Sequence, residues 1–347
     1  MSDNSTKVNR RRPARRRPQT DSTPEISPPV GPGLSGGRYR PLSHQDEKYI
    51  HESALTLLED IGLADPIPTC IKAVLSVGGK LNSRGRLCFP RSLVEDIIAG
   101  ANRRFTLCAQ DPQYDIAPWG DRVHFGTGCG AVHNLNPTDR CLNPTTIADV
   151  YDNARVADSL EHVHFVSRTG TARDLATVED LDVNTCYASI CGTSKHAGSV
   201  WSNSQNLTKS IEMLHIVAGD ERLWRRRPFM TLHCCFVVPP LKFAADACET
   251  LEVGVRAGMP VLLLSAPQAG ATAPASFTGT LIQLVAECLA GLVYVNSIVK
   301  GAPALMGMWP LVSDLRTGSM SGGSGEQAVL VAAAAQMGRF YDLPTGV

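Results

Sequence analysis

The run GMPVLLLSAPQAGATAPASFTGTLIQLVAECLAGLVYVNSIVKGAPALMGMW, residues 258–309, contains a complete strand, helix and strand. Val261–Ser265 and Ala304–Gly307 are apolar runs of strand length, and Ser276–Val295 between them reads as a helix. Its apolar part, Leu281–Val299, has the length of a membrane span, but Glu287 stands at its centre with Gln283 and Asn296 to either side. A carboxylate there would cost roughly 2–3 kcal/mol or more in a bilayer. The segment therefore reads as a helix buried on most sides of a large soluble fold.

The alternation continues upstream and downstream. Strands are expected at Val123–Gly126, Val163–Ser167, Gly198–Ser202 and Phe229–Phe236, and helices near Thr146–Ser159, Thr177–Cys191, Leu207–Val217, Lys242–Ala257 and Ser324–Phe340. Strand and helix alternating six times is the pattern of βαβ crossovers and a parallel sheet. A repeat of about 30 to 45 residues suits a TIM (β/α)8 barrel better than a compact doubly wound sheet, although periodicity does not separate the two. Six units end at Tyr341, and DLPTGV (342–347) opens a seventh strand. Six strands leave two edges, so the α/β region 116–347 is either an open sheet or an incomplete barrel, about two units short.

Upstream, residues 41–115 form a small α+β cap region. Ser43 caps a helix with Ile50, Ala54, Leu57, Leu58 and Ile61 at helical spacing and Gly62 as its stop. A second helix covers about 69–77, a hairpin turns at Ser83-Arg84-Gly85, and a third helix starts at Pro90. Residues 1–40 have no hydrophobic period and are expected to be disordered.

The net charge of zero is an average of unlike parts. Residues 1–40 carry nine Lys/Arg against three Asp/Glu, a basic Pro-rich tail of +6, and the remainder is −6. An acidic body makes nucleic acid an unexpected partner for the globule. The eleven cysteines include no C-x-x-C pair, which points to free thiols and a cytoplasmic setting. No secretory leader is evident, since the arginines are followed by Pro, Ser and Gly.

In a barrel, functional groups gather at the C-terminal ends of the strands. There the sequence places GTGCGAVHN with His133, Trp201 at the end of the third strand, His233-Cys234-Cys235 in the fourth, Gln268 after the fifth and Trp309 after the sixth. The tryptophans suit an aromatic wall for a cation, or packing beneath the cap region. His233 with two cysteines is a weak metal motif because alternate residues face opposite sides. The last loop, Asp314 to Gln327, carries Arg316 and Glu326 and ends in a capping box of Ser324 and Gln327. It lacks the Gly-Lys-Ser/Thr ending of a nucleotide P-loop.

Residues 258–296 together with KGAPALMGMWPLVSDLRTGSMSGGSGEQ (300–327), FGTGCGAVHNLN (125–136) and RYRPLS (38–43) resemble the trimethylamine methyltransferase family. The resemblance implies a TIM barrel that moves a methyl group from trimethylamine, or a related quaternary amine such as glycine betaine, to the Co(I) of a separate corrinoid protein. It implies no cofactor bound directly, the corrinoid (cobalamin) being carried by the partner, and a homo-oligomer. In the family's archaeal trimethylamine enzymes a pyrrolysine lies shortly downstream of the segment matching YDLPTGV, and most bacterial relatives have an ordinary residue there. The chain is accordingly expected to be a C-terminally truncated member without turnover. The expected roles are Trp201 and Trp309 as cage walls, Glu326 for charge complementarity or proton transfer, Gln268 and His133 as orienting donors, and Arg316 for a substrate carboxylate. The alternatives are a TIM-barrel lyase or transferase using the SGGSGE helix end for a phosphorylated substrate, an inactive chain, and an RNA-tethered scaffold.

Overall fold

A computed structural model describes residues 33–347 except Cys129. The basic stretch 1–32, most of the expected tail, lies outside the described residues.

The core is a six-stranded, all-parallel sheet in sequential order, curled as an incomplete barrel. Its strands are β1 (Phe165–Ser167), β2 (His196–Ser199), β3 (Met230–Cys234), β4 (Val261–Ser265), β5 (Ala304–Met308) and β6 (Thr345–Gly346). Helices α4 (Ile147–Ser159), α5 (Val178–Gly192), α6 (Ser204–Ala218), the short α7 (Glu221–Arg226), α8 (Ala245–Arg256), α9 (Phe277–Ile298) and α10 (Gly325–Phe340) fill the intervals. The α/β barrel-type reading is thus borne out at the level of an incomplete parallel barrel.

One expected strand is corrected. Val123–Gly126 contributes only a single parallel bridge, Gly126 to Phe165, while Arg122–Val123 pair antiparallel with Leu34–Ser35. Gly126 has the Phe165 ring where a Cβ would stand, and a glycine run without side chains to pack gives a strand little to hold it. The sixth strand is instead Thr345–Gly346, the segment expected to open a seventh. Leu34–Ser35, within the stretch expected to be disordered, are tied down by that ladder and by Ser35 Oγ donating to Asp121 at 2.5 Å.

Alternation along the strands separates two apolar layers. Met230, Leu232, Val261, Leu263, Ala304 and Met306 face the helices and join the large core, whereas Leu262, Leu264 and Leu305 face the concave side. Leu107 and Ile116, paired with each other, enter that side from below and complete its small core.

The N-terminal helices α1 (His44–Thr56), α2 (Pro68–Ser76) and α3 (Arg91–Gly100) pack on α9, not over the strand ends. Helix α9 therefore lies between β4–β5 and this flank, which is why it is apolar nearly all round. It is the one helix among the described residues long and apolar enough to cross a bilayer, and 83% of its most apolar window is buried inside the protein. Ser43 is the N-cap expected, and in the structure it completes a capping box with Asp46, while Gly62 at φ 66° ends the following turn.

Candidate functional site at the C-terminal ends of the strands

Loop lengths are unequal at the two ends of the sheet. Turns leading into the strands span three to five residues, whereas four of the five loops leaving strands β1–β5 span ten to sixteen. Long loops on a rigid sheet are where binding groups concentrate. A wide surface hollow bounded by Gln110, Arg155, Asp158 and Cys191 lies at the opposite, N-terminal end, where barrels place stabilising rather than reacting groups.

Two of the long loops form one wall. Gln268–Ala269 pair in parallel with Leu311–Val312, extending β4 and β5 upward, and Trp309 N–H donates to Ser265 O at 3.0 Å. Gln268 Nε2 donates to Ser313 Oγ at 2.7 Å, and its own N–H donates to Thr272 Oγ1 at 2.9 Å. The amide is thus oriented with Nε2 engaged and Oε1 open as an acceptor. Trp309 packs against the concave cluster of Leu262, Leu264 and Leu305, as does Phe165 from β1. Its Nε1 is buried and has no hydrogen-bond partner among the described residues. A buried indole N–H without a partner marks a place where a ligand or water belongs.

Below this wall the concave side carries two histidines held neutral. His196 donates Nδ1–H to Cys108 O at 2.6 Å and accepts the Thr231 hydroxyl at Nε2, at 2.7 Å. His233 fills the space above Gly198, where a Cβ would strike its ring. Burial pushes both imidazoles down to about 4, His233 further lowered by its neighbour His196. Cys234 turns to the other face and donates to Ala247 O, so the His-Cys-Cys run presents no joint ligand set.

Behind the wall, Glu287 is fully buried on α9 and receives Leu241 N–H at 2.8 Å and Gln283 Nε2 at 3.1 Å on Oε1, with Ser265 Oγ at 2.5 Å on Oε2. Desolvation raises its pKa, opposed by these three donors.

The remaining expected residues are spread around the rim. Trp201 is corrected: it is 7% exposed, in the helix-facing core, with its indole donating to Ser210 Oγ on α6 at 2.8 Å. Strand β2 ends at Ser199, so alternation turns Trp201 away from the concave side. His133 is exposed on a hairpin of His133–Leu135 with Leu142–Pro144. Arg316 has a 90% exposed side chain and lies 3.4 Å from Asp314. Glu326 is exposed in the first turn of α10. Ser324 Oγ caps Gln327 N–H, and Gln327 Oε1 takes Gly323 N–H at 2.7 Å, so part of the helix end is already satisfied.

Arg168 was not anticipated. It follows β1, is 8% exposed, and donates to Gly170 O at 3.1 Å and Thr171 Oγ1 at 3.0 Å. The available signal was a cation directly after an apolar strand, FVSR.

Residues 8–347 match the family model described as trimethylamine methyltransferase (MTTB). The chain is 29% identical over 312 residues to a glycine betaine methyltransferase of Desulfitobacterium hafniense strain Y51, covering 89% of this chain and 64% of that protein. It is 30% identical to trimethylamine methyltransferase MttB of D. hafniense strain DSM 10664 / DCB-2, covering 91% and 63%. It is 28% identical to trimethylamine methyltransferase MttB1 of Methanosarcina mazei, covering 90% and 64%. The chain thus spans slightly less than two thirds of each of these relatives.

Proposed function

The chain belongs to the trimethylamine methyltransferase family, and from that premise we propose that it is a methyltransferase acting on a methylated amine, trimethylamine or a quaternary relative such as glycine betaine. The observation that carries the reading within this chain is Trp309, an aromatic ring on an apolar concave face whose buried N–H lacks a partner among the described residues. An aromatic face in a desolvated setting attracts a methylammonium group by about 2 kcal/mol.

The methyl acceptor in this reading is the Co(I) of a corrinoid carried by a partner protein, a strong nucleophile that supplies the bond-forming electrons when docked. Exposed Leu135 and Leu142, opposite each other on the hairpin, and Leu315 and Met320 on the last loop give the same end of the molecule an apolar rim that suits such a partner. The chain's own contribution is binding and orientation. Trp309, Leu264, Leu305 and Phe165 exclude water around the methyl groups. Gln268, held by Ser313, presents Oε1 as an acceptor for the N–H of a protonated tertiary amine. A quaternary substrate departs as a neutral amine and needs no proton; a tertiary amine must keep its proton on nitrogen until the methyl has left.

Calorimetric titration of the purified chain with trimethylamine hydrochloride and with glycine betaine tests the binding half of this reading. Saturable binding of either, weakened severalfold in Trp309→Ala and not in Glu326→Ala, is expected. Equal affinity in Trp309→Ala would remove the wall from the site.

A further inference from the structure

We propose that Glu287 determines the charge specificity of this site: its carboxylate, buried behind the end of β4, makes the concave face select a cationic methylammonium over an uncharged group of the same shape. The inference rests on the methylated-amine reading above and names what would select its substrate.

The hydrogen bonds suit the ionised form. Leu241 N–H and Gln283 Nε2–H can only donate, so Oε1 is an acceptor. The Ser265 hydroxyl has no other acceptor among the described residues and is placed to donate to Oε2. Three donors stabilise the charge without neutralising it. No described Lys, Arg or His forms an ion pair with Glu287, so the negative charge is uncompensated in the protein interior.

Its position directs that charge at the site. Ser265 closes β4 with its side chain on Glu287, and its carbonyl accepts the N–H of Trp309. Leu264, one residue earlier, faces the concave cluster in which Trp309 packs. Only the thickness of one strand separates the carboxylate from the aromatic wall. Gln283, which holds Glu287, also donates to Thr272 O, and Thr272 Oγ1 accepts the N–H of Gln268. The same buried group therefore braces the loop that presents Gln268. A unit charge about 10 Å from a cation, at an effective dielectric of about 20, favours binding by about tenfold.

The test uses the whole chain and three probes: glycine betaine, tetramethylammonium, and 3,3-dimethylbutanoate, which replaces the quaternary nitrogen of betaine by carbon. The unmodified chain should bind betaine at least tenfold more tightly than 3,3-dimethylbutanoate. Glu287→Gln should lose about tenfold toward tetramethylammonium and a smaller factor toward betaine, whose carboxylate the same charge repels, with 3,3-dimethylbutanoate not weakened. Ser265→Ala, which keeps the charge and removes one hydrogen bond, should keep the preference. Equal affinity of the unmodified chain for betaine and its carbon isostere overturns the proposal even if Glu287→Gln fails to fold. So does a Glu287→Gln variant that weakens all probes alike, since that marks a purely structural role. If the unmodified chain binds no methylammonium at all, the functional reading falls and this inference with it.

Discussion

Acidification should destabilise this protein before most of its carboxylates titrate, and the buried histidines set the magnitude. His196 is 2% exposed and His233 9%, and burial brings both down to about 4 against an ordinary value near 6.5. His196 has a further constraint, because Nε2 already accepts the Thr231 hydroxyl. As pH falls below about 6.5 the unfolded chain takes up protons that the folded chain refuses, so stability is lost down to the folded value and levels off beneath it. One such imidazole costs about 2 kcal/mol by pH 5 relative to neutrality, and the pair about 4 kcal/mol if each titrates fully. Glu287 acts in the opposite sense, since a raised carboxyl pKa lets the folded state bind a proton first and offsets part of the loss. Urea denaturation followed by tryptophan emission at about pH 7.5, 6 and 5 would measure the slope. His196→Gln should remove about 2 kcal/mol of the loss, the remainder resting on His233 and on His124, which burial also brings down to about 4. A loss below about 1 kcal/mol between neutrality and pH 5, or an undiminished slope in a His196→Gln/His233→Gln double variant, would refute the assignment.

Lys195 is 1% exposed and donates to Ala157 O at 3.0 Å and to Leu160 O and Val163 O at 2.7 Å, closing the end of α4. Lys195→Met should therefore cost about 2–3 kcal/mol in a denaturant titration, and an unchanged midpoint would show that water replaces the ammonium. The two tryptophans should separate. Trp201→Phe removes the indole donor to Ser210 Oγ, whose hydroxyl still donates to Asn206 O, and lowers stability by about 1 kcal/mol without touching ligand affinity, while Trp309→Phe weakens methylammonium binding with stability nearly unchanged. Gly291→Ala would place a Cβ 2.5 Å from the buried Phe236 ring, and overpacking there should cost about 1–3 kcal/mol by thermal melting.

Local signals account for the parts of the fold that were legible in advance. Ser43 and Thr146 stand as N-caps at the starts of expected helices, each completing a capping box with the Asp three residues on, and Gly62 takes the positive φ that suits a glycine stop. Each depends only on neighbours within a few residues. Val261–Ser265 was equally plain, because a continuous apolar run is required when a strand is covered on both faces. Val123–Gly126 misled for the converse reason: it has the composition of a strand, but its pairing depends on the distant Leu34–Ser35 and Phe165.

Of the site, the sequence determined the chemistry present at each strand end, including two tryptophans, Gln268 and a carboxylate inside an apolar helix. It also carried the family resemblance, since long ordered blocks survive in the chain itself. Only the tertiary structure decided which of these groups meet. Trp201 and Trp309 follow equivalent strands, yet one lies against α6 and the other against the concave cluster. Glu287 read at first as an obstacle to membrane insertion, and the fold sets it behind Ser265 and Trp309. Alternation assigns residues to opposite faces of a strand, but which face is concave is settled by the curl of the sheet and by Leu107 and Ile116 filling it, contacts between segments far apart in the chain.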